Sequence, residues 1–214
     1  MNASLIHGAQ RALVVCAHTD DELGCAGTIV RLLEAQADVW YLALSRCEES
    51  VPEGFPQDVL EGECRECATR LGISEGKVMV ERFPVRRFPA CRQEILERMV
   101  ELKRLIEPTL VLVPSFFDSH QDHNVVSWEG FRAFKHCTVL GYELPQNLIS
   151  FRSTAFVALT KEHLEKKIYA LRSYVSQQFR RYASDNFVRS LATVRGTQCN
   201  SEYAEAFEVI RLIS

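Results

Sequence analysis

Two short stretches hold most of the side chains that could do chemistry. In the first, an aliphatic run from Ala12 to Ala17 ends on His18, Thr19, Asp20, Asp21 and Glu22. In the second, Leu110-Val111-Leu112-Val113-Pro114 opens into Ser115, Phe116, Phe117, Asp118, Ser119, His120, Gln121, Asp122, His123 and Asn124. Three carboxylates and an imidazole at the end of a buried strand repel one another, at a cost of several kcal/mol, unless a cation holds them. Capping of a following helix would account for Asp20, Asp21 and Glu22, but it needs no histidine. Three of the six histidines lie in these two stretches. Two imidazoles and one carboxylate, with a fourth position left to water, make a catalytic zinc arrangement that lowers the pKa of that water toward about 7. Amide hydrolysis also needs a base and a second donor for the oxyanion or the leaving amine. The set His18, Asp20, Asp21, Glu22, His120, Asp122 and His123 has residues for each part, and its histidines count against magnesium, which prefers oxygen.

These residues must be positioned by a scaffold. With 214 residues and 47% hydrophobic content the chain suits one sizeable core, read as a single domain over 1–214. Apolar runs predict strands at 12–17, 38–45, 77–83 and 109–114, and helical periodicity predicts helices over 22–36, 58–71 and 92–106. This β-α-β-α-β rhythm predicts an α/β, Rossmann-like doubly wound fold with a mostly parallel sheet and helices on both faces. Further on, a helix is expected over 125–135, strands over 138–144 and 151–160, a helix over 161–176, a loop over 177–185 and a short helix over 186–193. Segment 204–213 fits either a strand or a helix. Gly24 and Gly27 fall early in the first helix, where glycine costs stability, which suggests a close approach by backbone or ligand. No G-x-G-x-x-G turn follows the first strand, so the dinucleotide motif is absent. In a 3-2-1-4-5 sheet the first and fourth strands are neighbours at the switch point. The two histidine-carboxylate loops, about a hundred residues apart, should then meet in one crevice.

Net charge is −3 and no Lys/Arg block exceeds a pair, which excludes the electrostatic footprint of a nucleic-acid binder. No apolar stretch approaches the roughly 20 residues of a membrane span. MNASLIHGAQ lacks the basic and apolar regions of an export signal, so a cytoplasmic location is expected. The eight scattered cysteines are then expected as free thiols, and the one CxxC, Cys64 and Cys67, lacks the partners of a zinc ribbon. The loop after the second strand, 46–56, is a substrate-contact candidate with Glu48, against the plain reading of a solvated loop. The pairs Arg86-Arg87 and Arg180-Arg181 are candidates for an anionic substrate group, against solvated surface charge.

At these residues the chain resembles the zinc-dependent N-deacetylases of the PIG-L/LmbE-like family. Its Ala-His-Pro-Asp-Asp-Glu signature is matched by Ala17-His18-Thr19-Asp20-Asp21-Glu22, and its His-x-Asp-His by His120-Gln121-Asp122-His123. The likeness extends to 24–29 and more loosely to 63–72 and 174–177. Thr19 replaces a proline that would stiffen the turn. The resemblance implies His18, Asp21 and His123 as ligands of Zn²⁺, Asp20 as general base, His120 as proton donor or oxyanion partner, and Asp122 as the carboxylate orienting His120. Strand parity alone would instead pair Asp20 with His18. The implied partner is a small-molecule substrate carrying an N-acetylated amino sugar, such as a glycoside, sugar nucleotide or glycolipid head group. Alternatives are a non-catalytic Rossmann-like nucleotide- or metal-binding module and an amidase acting on a non-sugar amide. A homo-oligomer is left open.

Overall fold

The computed structural model describes residue 6 and residues 8–213. Seven strands form one sheet in the order β3-β2-β1-β4-β5-β7-β6. They are β1 Arg11–Cys16, β2 Asp38–Ala43, β3 Val78–Val80, β4 Leu110–Pro114, β5 Thr138–Tyr142, β6 Ala155–Leu159 and β7 Tyr203–Arg211. β1 to β5 pair in parallel, and β7 runs antiparallel between β5 and β6. The helices are α1 Ala26–Glu34, α2 Val59–Leu71, α3 Arg92–Ile106, α4 Gln121–Ala133, α5 Lys161–Leu171 and α6 Asp185–Gln198.

The alternation of β1 shows why both faces are covered. Ala12, Val14 and Cys16 pack with Ile29, Cys67 and Leu164 of α1, α2 and α5, whereas Leu13, Val15 and Ala17 pack with Met99 of α3 and Val126 of α4. Successive strand side chains point to opposite faces, so an unbroken apolar strand needs helices on both. The 3-2-1-4-5 order is present, extended by the antiparallel pair, and β1 and β4 are adjacent. The ambiguous last segment is a strand because it fills the gap between β5 and β6.

Two departures from the predicted elements shape the site. The helix predicted over 22–36 is divided into a 3₁₀ turn, Asp21–Gly24, and α1, which begins at Ala26. A side chain at Gly24 would begin 2.7 Å from the Tyr142 ring and 2.8 Å from the Glu143 carbonyl oxygen, so β5 closes on the backbone there. The start of α1 is held by a carboxylate from β7: Glu205 accepts the Gly27 N–H (2.8 Å) and the Thr28 N–H (2.6 Å), and Lys167 balances it at 2.7 Å. α4 begins four residues before the predicted 125, because the His120 ring caps it by accepting the Asp122 N–H at 3.1 Å. Among the described residues no helix is long and apolar enough to cross a membrane, and all eight cysteines are free.

Candidate metal and catalytic site

The β1 and β4 loops meet in an open cleft of about 180 Å³. His18 leaves the end of β1 with its backbone N–H donating to Asp21 Oδ2 at 2.8 Å. Asp21, not the Asp20 that strand parity favours, therefore faces His18, because the chain has already left the extended conformation for the 3₁₀ turn. His18 Nδ1 lies 3.0 Å from His123 Nε2 and 3.7 Å from Asp21 Oδ2, and His123 Nε2 lies 3.2 Å from Asp21 Oδ1. The far side of each ring is tied to a carboxylate: His18 Nε2–H donates to Asp122 Oδ2 at 3.1 Å and His123 Nδ1–H to Asp118 Oδ2 at 2.7 Å. With those protons placed, the two inward nitrogens present lone pairs to each other and to Asp21.

Three converging lone pairs call for a positive charge between them, supplied by a bound cation or, without one, by a proton on His123. Donors about 2.0–2.1 Å from one tetrahedral ion stand roughly 3.3–3.4 Å apart, close to the separations seen, so His18, Asp21 and His123 could hold a zinc-class cation. The electrostatics point the same way. Burial opposes charge on His123, yet Asp21 and Asp118 outweigh it and push its pKa up to about 10. Burial likewise opposes charge on Asp21, but His123 and His18 hold its carboxyl well below the usual carboxylate range. The rings of His18, His120 and His123 also bring three nitrogens within 4.8 Å of one another. His120 is the weaker donor of that set: its Nδ1 already accepts the Asp122 N–H, so the neutral ring carries its proton on Nε2.

Asp20 and His120 line the same cleft without entering the donor triangle. Burial, joined by Asp21, raises the Asp20 carboxyl, while His18 and Arg180 pull it back. Burial first, and the neighbouring His123 and His18 after it, lower the His120 imidazole, which favours its neutral form. Asp122 departs from its predicted place beside His120. Its carboxylate accepts from His18 and from the backbone N–H groups of Arg86 and Phe88, and only its own N–H meets His120. The reason is its position in the first turn of α4, which turns the side chain toward segment 86–88. Glu22 is absent from the cleft. It lies beneath it, accepting from the hydroxyls of Tyr41 (2.9 Å) and Tyr174 (2.6 Å), and burial pushes its pKa up to about 7.

Of the residues predicted to meet substrate, Arg86 and Arg180 line the cleft, and Arg87 and Glu48 do not. Glu48 turns to Arg46, and Arg87 is exposed outside. Asn147 and Tyr182 line the cleft without having been singled out in sequence, and Gln177 does so from the loosely similar stretch 174–177. They follow β5 or α5 in segments without a histidine-carboxylate cluster to draw attention. Asp118 had a signal, a carboxylate two positions before His120, whose backbone N–H it accepts at 2.8 Å. The two loosely similar stretches, 63–72 and 174–177, meet in the fold: Glu63 of α2 accepts the Ser176 N–H and hydroxyl at 2.8 and 2.6 Å.

Several solved structures share this fold. The N,N'-diacetylchitobiose deacetylase of Pyrococcus horikoshii superposes with a TM-score of 0.79 at 19% identity, covering 94% of this chain and 84% of that one. The conserved protein TT1542 of Thermus thermophilus gives 0.79 at 23% identity, with 94% and 96% covered. GalB, the 4-carboxy-2-hydroxymuconate hydratase of Pseudomonas putida KT2440, gives 0.77 at 21% identity, with 96% and 98% covered. Among curated proteins no sequence matches the chain. The family model "PIG-L: GlcNAc-PI de-N-acetylase" matches residues 13–134, more than half of the chain and both histidine-carboxylate loops, and the chain belongs to that family.

Proposed function

We propose that this protein is a single-domain, metal-dependent N-deacetylase that hydrolyses the acetamido group of an amino-sugar substrate, with zinc as its ion. The observation that carries this reading is the triangle of lone pairs from His18, Asp21 and His123, each ring braced from behind by a carboxylate. Those three residues would hold the ion, which when bound supplies a Lewis acid for the acyl carbonyl and acidifies a water. Asp20, raised by burial, takes the proton of the attacking water as general base. Neutral His120 donates a hydrogen bond from Nε2 to the developing oxyanion, and the proton taken up by Asp20 passes to the leaving amine as the C–N bond breaks. Asp122 and Asp118 keep His18 and His123 in the tautomers that face inward.

The family description and the chitobiose deacetylase favour an acetylated amino sugar. The hydratase on the same fold marks the limit of analogy, since one scaffold can direct water at different electrophiles. The test is release of acetate from a panel of N-acetylhexosamine derivatives, before and after chelation and after zinc is restored. Loss on chelation and recovery with zinc are expected. Full turnover by metal-stripped protein, or hydration of an unsaturated acid without any acetate release, would overturn the reading.

A further inference from the structure

Two arginines line the cleft, and they differ in what already engages them. The guanidinium of Arg86 is turned to Glu49, donating to its carbonyl oxygen at 3.0 Å with the Glu49 carboxylate at 3.7 Å. Arg180 stands in no ion pair among the described residues, yet it is held in place. Its Nε donates to Gln177 Oε1 at 2.7 Å, and its guanidinium lies 5.2 Å from the Phe179 ring and 5.7 Å from that of Tyr182. Gln177 is buried and donates to Ser176 Oγ at 3.0 Å, and Ser176 is fixed in turn by buried Glu63. An ordinary surface arginine is mobile and solvated. This one is oriented by a buried relay that begins on α2, and its two terminal amino groups are left for a ligand.

We infer that Arg180 binds an anionic group, phosphate or carboxylate, borne by the substrate close to its acetamido carbon. The position follows from the cleft, which Arg180 shares with Asp20, His18 and His123, so an acetyl group at the donor triangle places the neighbouring substituents within the arginine's reach. A planar fork with one nitrogen anchored and two free suits a two-oxygen anion. The inference rests on the deacetylase reading. The rival role, keeping Asp20 charged, would act on neutral and anionic substrates alike.

The test uses the full chain with Asp20→Asn, which suppresses turnover, and calorimetric titration with N-acetylglucosamine, its 1-phosphate, its 6-phosphate and N-acetylmuramic acid. The phosphates and the carboxylate sugar separate the two anion sources. At least one anionic probe should bind roughly 10- to 100-fold tighter than the neutral sugar, as a charge-assisted contact gives. Arg180→Gln should bring that ratio close to one, Arg180→Lys should leave it intermediate, and Arg181→Gln, outside the cleft, should keep it. Bound zinc, measured for each variant, reports whether the site is intact. A ratio near one in the parent, or one that survives in Arg180→Gln, overturns the inference. Acetate release by the chain without Asp20→Asn is followed separately: its absence with every probe refutes the deacetylase reading while the binding ratios still decide Arg180.

Discussion

Segment 18–22 bends through a 3₁₀ turn, whereas segment 118–123 runs straight into the first turn of α4. Both deliver histidine and carboxylate to one cleft, but they distribute them differently. With three residues per turn, consecutive side chains of the 3₁₀ segment fan apart. Asp20 reaches the cleft, Asp21 the donor triangle and Glu22 the tyrosines beneath. In the first turn of α4, His120 and His123 are three positions apart and share a face, with ring centroids 4.7 Å apart. Adjacent carboxylates thus acquire three jobs in one loop, and spaced residues converge in the other. The loops are also unequal in support: His123 is braced by Asp118 of its own loop, and His18 by Asp122 of the opposite one.

The largest expected effect comes from removing a corner of the triangle. His123→Ala and His18→Ala should each leave well under one zinc per chain and abolish turnover, exceeding the roughly 100-fold cost of a lost brace. A zinc-replete, active variant of either would break the view that the two loops share one ion. Next come the adjacent aspartates. Asp20→Asn should keep zinc and lose about 10²–10⁴-fold in kcat, while Asp21→Asn should lose zinc first and recover activity in part with excess metal. The reverse pattern would exchange their roles.

The unequal bracing can be sharpened with Asp122→Asn and Asp118→Asn, each expected to weaken zinc binding by about 10- to 100-fold in competition with a chelating indicator. Only Asp122→Asn should also speed hydrogen exchange at the Arg86 and Phe88 amides, which its carboxylate accepts. Equal exchange in both variants would erase the distinction between a brace from the same loop and one from the other. The smallest effect concerns Thr19, which is buried with a hydroxyl that has no partner among the described residues. Thr19→Val should raise stability by about 1 kcal/mol in urea unfolding with the slope unchanged. A loss of stability would mean that the hydroxyl has a hydrogen-bond partner after all.

Much of this was legible in the chain. The aliphatic runs of β1 and β4, their neighbourhood at the switch point and the meeting of two distant loops follow from period and order, because a strand apolar at every position has to be covered on both faces. Residue types and spacing likewise marked His18, Asp20, Asp21, His120 and His123. What only the tertiary structure decided is which carboxylate serves which ring. Asp122 turns to His18 because segment 86–88, more than thirty residues away, offers it two N–H groups, and Glu22 turns inward because Tyr41 and Tyr174 reach it from β2 and from beyond α5. Arg180 shows no more in sequence than Arg181 beside it, and the relay through Glu63, Ser176 and Gln177 exists only once α2 packs beside that turn. A side chain's direction is set by local backbone rotation together with partners supplied from elsewhere in the chain, and neither is contained in the spacing of residue types.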